Sequence, residues 1–501
     1  MEAWDVVVVG GTVAGLRAAI AAHDAGASVT ILEEGAIGSG GASTSVEGLA
    51  VSLNETNFDG HAKDTIAVGV GQCDESTVRY RTASAFDHLA ELERWGLTLR
   101  RGKNGLPLLS SGPGHSQSRV ATTGDTTGRE LYSLLEEQCM KRAISRRGDM
   151  QSLSLVTESN EAVGLISLDV QRGEMVALKA KSVILATDGL ESAWNGGSGG
   201  TGLWLASDAG VSLNNLEFVG WNPLSMQMHG LQLPFAILDD GATVRSVSGS
   251  DIEFSAEGGI SEASQSLINS GEQCVLDARV LTRGTPVWYG DTSERVSSRL
   301  GGQMSETVIP ISPQVSTTLG GIPCDDNGKV SSLTGLFTAG DCACSGFHGA
   351  DMAVGNRLLD SLDGGNNAGT SAAEHVAESQ FSGSDAIDAA LSVAAARFGK
   401  LLATADSGMT RGQVSNQLNT IMSDSMGVSR EGASLSGAAE RLSQLAETQI
   451  TLSDDSPVMN TELVEVFRLE GMVKVSLNAV ESAMARTESC GSHQRSDEYL
   501  Y

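Results

Sequence analysis

The stretch DVVVVGGTVAGLRAAIAAHDAGASVTILEE, residues 5–34, limits the possible folds of this chain more than any other. Val6–Val9 make a continuous apolar run of buried-strand type, 14–26 has helical spacing closed by a glycine, and 28–32 reads as a second strand. Together they form one βαβ unit. In its strand-to-helix turn the first glycine allows the bend, the second lets a dinucleotide pyrophosphate approach the backbone, and the third lets helix and strand pack. Gly10 and Gly15 keep the first and third positions with Gly11 adjacent, and Thr12 stands at the second. There it either narrows the approach or donates its hydroxyl to a phosphate. Glu33 ends the second strand, where a carboxylate accepts ribose hydroxyls; the alternative is a solvated acid at a strand end.

A chain of 501 residues is too long for one compact core and predicts two or three domains. Residues 77–96 and 126–143 read as amphipathic helices, the second with Asp125 and Thr126 as candidate caps. Strand-like text at 162–170 and 175–187 returns the chain to the first sheet. From 212 to 330 short β-like runs alternate with Gly and Ser turns, the texture of an inserted cap. Residues 332–341 are strand-like again, and 383–485 are helical in pattern. The Gly/Ser runs at 196–200 and 362–367 read as loops.

The net charge of −29, with arginine outnumbering lysine, excludes nucleic acid as a partner, because backbone phosphates need clustered cations. Such a lysine-poor, acidic surface also suits solvation at high salt. Seven cysteines without a C-x-x-C pair fit a reducing compartment and supply no zinc or iron–sulfur ligand set. No apolar run reaches the roughly 18 residues of a membrane span. A cytoplasmic protein without direct membrane insertion is expected.

Seven further segments occur in order: DGHAKDTIAVGVG (59–71), GHSQSRVATTGDTTG (114–128), SVILATDG (182–189), LEFVGWNP (216–223), LGGIP (319–323), GLFTAGDCACSGFHGADMAVGNRLLD (335–360) and RTESCGSHQRSDEY (486–499). With them the chain resembles, end to end, the flavoprotein subunit family of succinate dehydrogenase and fumarate reductase, whose relatives include L-aspartate oxidase. The resemblance implies an α/β fold: a Rossmann-like FAD-binding domain over 1–211 and 331–375, an inserted α+β capping domain over 212–330 and a C-terminal helical region over 376–501. It implies FAD as cofactor, a small-molecule substrate, hydride transfer at flavin N5, and an iron–sulfur electron-transfer subunit as a possible partner.

Carried over by position, Gly10, Gly11, Thr12, Ala14 and Gly15 lie in the pyrophosphate turn and Glu33 faces the ribose. The flavin-side loop 39–48 contributes Gly41, Ala42, Ser43, Glu47 and Gly48. Ala186, Thr187 and Gly189 match the family's A-T-G-G strand end, with Asp188 in place of a glycine, and Thr201 replaces the aspartate of its T-G-D-G. Asp341 replaces a glutamate that contacts the ribityl chain, and the family's N-S-L beside the isoalloxazine becomes Asn356, Arg357 and Leu358. Arg357 is then either a cation beside the flavin, favouring its reduced anionic form, or a surface arginine on a changed loop. Ala42 stands where membrane-complex members bond FAD through histidine, so the resemblance implies non-covalent FAD.

The substrate positions depart furthest. Two histidines and an arginine that hold a dicarboxylate in the family are replaced by Asn222, Ser316 and Met352, and 258–271, where a proton-moving arginine falls, contains no cation. Each charge-assisted contact to a carboxylate contributes about 1.5–3 kcal/mol, so fumarate and succinate are expected to bind poorly. Asp351 is expected to add repulsion. His61, His115, His348 and His493 read chiefly as structural hydrogen-bonders, while His229, Arg245 and His348 are the candidates for a displaced proton donor. An oxidoreductase with an altered substrate, a catalytically degenerate member, and a working succinate or fumarate enzyme all remain open at this point.

Overall fold

The computed structural model describes residues 1–498 apart from 46–47, 55–56, 197–198, 228–229, 255–256, 282–284 and 404–407. The opening run forms β1 (Glu2–Val9), followed by α1 (Val13–Asp24) and β2 (Val29–Leu32). Val6 and Val8 pack into one core and Val7 and Val9 into another. A strand buried on both faces needs no polar alternation, which is why the run reads VVVV. Each valine so buried contributes about 1.5–3 kcal/mol.

Helices α2 (Glu75–Trp95) and α3 (Thr127–Lys141) precede β3 (Ser145–Arg147). Next come β4 (Met150–Glu158), β5 (Glu161–Asp169) and β6 (Glu174–Leu185). The sheet order is β3-β2-β1-β6-β5-β4, parallel from β3 to β6 and antiparallel from β6 to β4. Neither Asp125 nor Thr126 caps α3 as expected: Thr126 is the N-cap residue but makes no side-chain cap bond. The Asp125 carboxylate instead accepts from Thr292 N at 2.7 Å.

Helix α4 (Thr201–Asp208) leads into the region of short strands. There β7 (Val219–Asn222), β8 (Thr243–Ser246), α5 (Ile260–Asn269), β9 (Cys274–Asp277), α6 (Gly290–Leu300), β10 (Ile309–Ile311) and β11 (Gln314–Thr318) follow in order. Strands β8, β9 and β10 form one small antiparallel sheet, and β7 pairs with β11 in another. The chain then re-enters the main sheet through β12 (Leu336–Thr338), parallel to the end of β6.

Residues 362–367 are not a loop. They lie inside α7 (Asn356–Glu378), which crosses α1. A Cβ on Gly365 would stand 2.5 Å from Ala14 O, and one on Gly369 2.1 Å from Ala18 O. The glycines permit a backbone-to-backbone crossing that outweighs their poor helix propensity of about 1 kcal/mol each. The chain ends with α8 (Asp385–Leu402), α9 (Arg411–Ser425), α10 (Gly432–Ala446) and α11 (Thr461–Ala485). Among the described residues no helix is long and apolar enough to cross a membrane.

The register fixes the site. Val9 pairs with both Leu32 and Leu185, and Leu185 pairs with Thr338. The next residues, Gly10, Glu33, Ala186 and Ala339, therefore leave the sheet along one edge, where open parallel sheets hold their ligands.

Candidate functional site

At that edge lies a cleft of about 360 Å³, bordered by Gly10, Gly11, Thr12, Glu33, Gly40 and Thr187 on the sheet side and by Glu465 and Arg468 of α11. Gly10 has φ +113°, and a Cβ there would stand 2.3 Å from Ala186 O; a Cβ on Gly15 would stand 2.0 Å from Gly10 O. Thr12 corrects one expectation. It caps α1, accepting from Gly15 N at 3.1 Å, and its own proton goes to Ala186 O at 2.7 Å. That proton is not offered to a phosphate; the residue narrows the turn while preserving the helix start.

Glu33 is no solvated acid. Its Oε1 accepts from Arg146 Nε at 2.7 Å, and Arg146 also reaches Glu136 Oε1 at 2.6 Å. Burial pushes the Glu33 carboxyl above its usual range against the pull of Arg146. Neighbouring Glu34 also lines the cleft; its Oε1 has no hydrogen-bond partner, and burial raises its pKa. Ala14 does not line the cleft but packs under it, against Gly340 and Gly365. Gly48 packs on Val120, Glu47 lies outside the described residues, and only the backbone of Ser43 is described.

Beyond the turn stands a buried charge cluster. Arg357, in the first turn of α7, is 2% exposed, which overturns the surface-arginine alternative. Its Nε and Nη2 donate to Asp341 at 3.0 and 2.5 Å, and its Nη1 donates to Ser316 O at 3.0 Å. Glu191 lies 3.7 Å from Nη2, with both carboxyl oxygens lacking a hydrogen-bond partner. Asp188 accepts from Ala42 N at 2.9 Å and fills the space that a side chain on Gly41 would need. Burial raises the pKa of Asp188 and Glu191, and the charge of Asp341 pushes Asp188 up further. A single guanidinium balances one carboxylate, so the other two acids hold their protons tightly.

Asn356 and Leu358 flank Arg357 without facing the cleft. The Asn356 amide binds His61 Nε2 at 2.9 Å and Thr65 Oγ1 at 3.0 Å, and Leu358 is core. Gly189 lies against Thr318 and Glu191, where any Cβ would come within 2.2 Å of Thr318 Oγ1.

These residues fit a dinucleotide of the FAD type. The glycine turn and the N-terminus of α1 suit the pyrophosphate, and Glu33 lies beside Gly11, where a ribose is expected. Asp341 differs from expectation in being tied to Arg357. A carboxylate has about four acceptor sites, so it keeps capacity for a ribityl hydroxyl. Arg357, buried and paired with Asp341, borders a smaller chamber rather than the cleft itself.

A second, smaller chamber of about 50 Å³ brings together Asn222, Ser316, Met352 and Arg357. Its other walls include Leu233, Phe235, Ile260 and Val354, together with Gln232, which no sequence signal singled out. Gln232 Oε1 accepts from Asn222 Nδ2 at 3.3 Å and from Ser316 Oγ at 3.2 Å. Asp351 is not part of this chamber. Its carboxylate accepts from Ser261 N, Glu262 N and Met352 N at 2.8–3.2 Å, holding the start of α5, so it does not repel a ligand there. Burial raises its pKa to about 6.

Two proton-donor candidates are also corrected. Arg245 pairs with Asp251 at 3.0 Å and lies 3.7 Å from Asp277, outside the chamber. His348 packs on Phe347 with Nε2 3.4 Å from Asp360, and burial lowers its pKa to about 3, so it stays neutral. His229 lies outside the described residues. His115 binds Val354 O at 2.7 Å, while His493 bridges Arg430 at 2.8 Å and Arg486 O at 3.0 Å; both are structural.

The sequence matches the FAD binding domain over residues 5–358 and the fumarate reductase flavoprotein C-terminal domain over 415–499. It is 27% identical to the fumarate reductase flavoprotein subunit of Haemophilus influenzae, covering 98% of this chain and 89% of that protein. It is 30% identical to an L-aspartate oxidase of Mycobacterium bovis, covering 99% and 93%. The structure superposes on FrdA of Escherichia coli quinol fumarate reductase with a TM-score of 0.94 at 25% identity, covering 100% of this chain and 92% of that one. With the glycine turn, the sheet edge and the two chambers in place, this chain belongs to the FAD-dependent oxidoreductase family of fumarate reductase, succinate dehydrogenase and L-aspartate oxidase flavoproteins.

Proposed function

We propose that this protein binds FAD non-covalently and oxidises or reduces a small molecule other than a plain C4 dicarboxylate. The observation that carries this reading is the chamber beside Arg357. Asn222, Ser316 and Met352 meet there, and Arg357, the one cation among the described residues of its lining, is already paired with Asp341. Three missing charge-assisted contacts weaken dicarboxylate binding on the order of a thousandfold or more. Ala42 offers no nitrogen for a covalent flavin link.

Bound FAD supplies hydride transfer at its N5. The chain's own residues would do the rest: the Gly10–Gly15 turn would hold the pyrophosphate and Glu33 the ribose. Leu233, Phe235 and Ile260 exclude water from the reacting end. Residues 212–330 act as the cap over a cofactor domain of 1–211 and 331–375, braced by 376–501. Electrons leave to a separate acceptor, of which an iron–sulfur subunit is the family-based form, in the cytoplasm.

A degenerate, non-catalytic member is the second reading, favoured by the acids Asp188 and Glu191 packed beside the flavin end. Visible spectra with an organic donor and after acid precipitation separate the two. We expect a yellow native protein that an organic donor bleaches anaerobically, and, in a separate sample, complete release of the flavin into the supernatant on acid precipitation; a yellow protein that no organic donor bleaches favours the degenerate reading. A colourless protein that takes up no added FAD contradicts the proposal, and colour retained in the precipitate contradicts the non-covalent part.

A further inference from the structure

The inner chamber has a neighbour with different chemistry. A cleft of about 240 Å³ shares Ser45, Asp125 and Gln232 with it, so the two adjoin. Three arginines line this outer cleft: Arg129 from α3, and Arg295 and Arg299 from α6. Arg295 and Arg299 are four residues apart and share one helix face, while Arg129 lies opposite, on the cofactor-domain side. The chain as a whole has about two acidic residues for each basic one, 62 against 33. Among the described residues of its lining the ratio reverses, with two acids, Asp125 and Asp291, against three cations.

The pairing leaves charge over. Asp291 serves both Arg129 at 3.0 Å and Arg295 at 2.7 Å. Asp125 is engaged by Thr292 N at 2.7 Å. Arg299 donates only to Arg295 O at 3.4 Å and has no carboxylate partner among the described residues. At the boundary, two donors converge on Gln232 Oε1 and fix the orientation of the amide, so its Nε2 is left as an oriented donor.

We propose that the substrate is an elongated monoanion: its charged end docks on Arg129, Arg295 and Arg299, and an uncharged, largely apolar end bearing a carbonyl enters the inner chamber. Gln232 Nε2 donates to that carbonyl. The assignment rests on the altered-substrate reading and gives it a substrate class. A dicarboxylate is disfavoured because its second charge would enter a chamber that, among the described residues, offers no cation but the Asp341-paired Arg357. A neutral molecule forgoes the arginines, whose field also steers anions to the mouth.

Isothermal titration of the purified protein with succinate, adipate and suberate, their methyl half-esters and their dimethyl esters varies charge on fixed skeletons. At least one half-ester is expected to bind ten times more tightly than its diacid and its diester. Arg299→Gln should weaken that half-ester about five- to tenfold and leave the diester unchanged, and added salt should do the same to the unmodified protein. The salt series stands even where the variant does not fold. A diacid as the tightest ligand, no half-ester binding, or a salt-independent half-ester overturns the proposal. The colour of the same preparation reports the flavin separately. A colourless protein that binds half-esters defeats the flavoprotein reading alone, and a yellow one indifferent to charge defeats the monoanion assignment alone.

Discussion

The two ends of the site are built in different ways. At the Gly10–Glu33 end the grip on a cofactor is made by backbone, a helix N-terminus and one anchored carboxylate, and a threonine in place of a glycine is absorbed as a helix cap. At the Arg357 end the lining is made of projecting side chains, Asn222, Ser316 and Met352 in the small chamber and Asp188 against Ala42 N, and on our proposal these stand in for the family's dicarboxylate contacts. Backbone contacts tolerate side-chain change, whereas side-chain contacts change with it.

The largest effect is expected at the charged end. Arg357→Leu leaves Asp341 and its neighbours buried without a cation and should cost about 3–5 kcal/mol in urea unfolding near neutral pH, and less in acid, where the carboxyls are neutral. An equal cost at all pH values would show that packing, not charge, dominates there. The pH profile comes next. Asp188 and Glu191 hold their protons more tightly folded than unfolded, so their contribution is complete below the ordinary values of 3.8 and 4.5 and is lost as pH rises through their raised folded range. Thermal stability should therefore fall by a few kcal/mol toward alkaline pH, and the double change Asp188→Asn with Glu191→Gln should flatten the slope. A profile equally steep in that variant would place the titrating groups elsewhere.

Restoring cations tests the contrast from the other side. Ser316→His with Met352→Arg should tighten fumarate binding at least tenfold by titration while leaving flavin content unchanged; loss of flavin would show that the two ends are not independent. The smallest effect is expected at the turn. Thr12→Ala removes the cap of α1 and should cost about 1 kcal/mol, Thr12→Gly only a few tenths, with flavin retained in both. Loss of flavin from the glycine variant would mean that Thr12 does more than cap.

What the sequence revealed follows the range of the interactions. Val6–Val9, α1 and β2 are legible because their signals are local periodicity and turn chemistry, and ordered motifs suffice to group Asn222, Ser316 and Met352, which line one chamber. Residues 362–367 misread because Gly365 and Gly369 answer to Ala14 and Ala18, far away in the chain. Asp351 misread because its role is to hold the start of α5. Gln232, Arg299 and Arg468 gave no signal, since each gains meaning only beside residues from other segments.

The central claim is that the cofactor end is kept while the dicarboxylate site is lost. Anaerobic titration of the yellow protein with succinate tests it most directly, with dithionite as the control reductant. The account predicts a visible flavin band unchanged by succinate and bleached by dithionite; stoichiometric bleaching by succinate would contradict it.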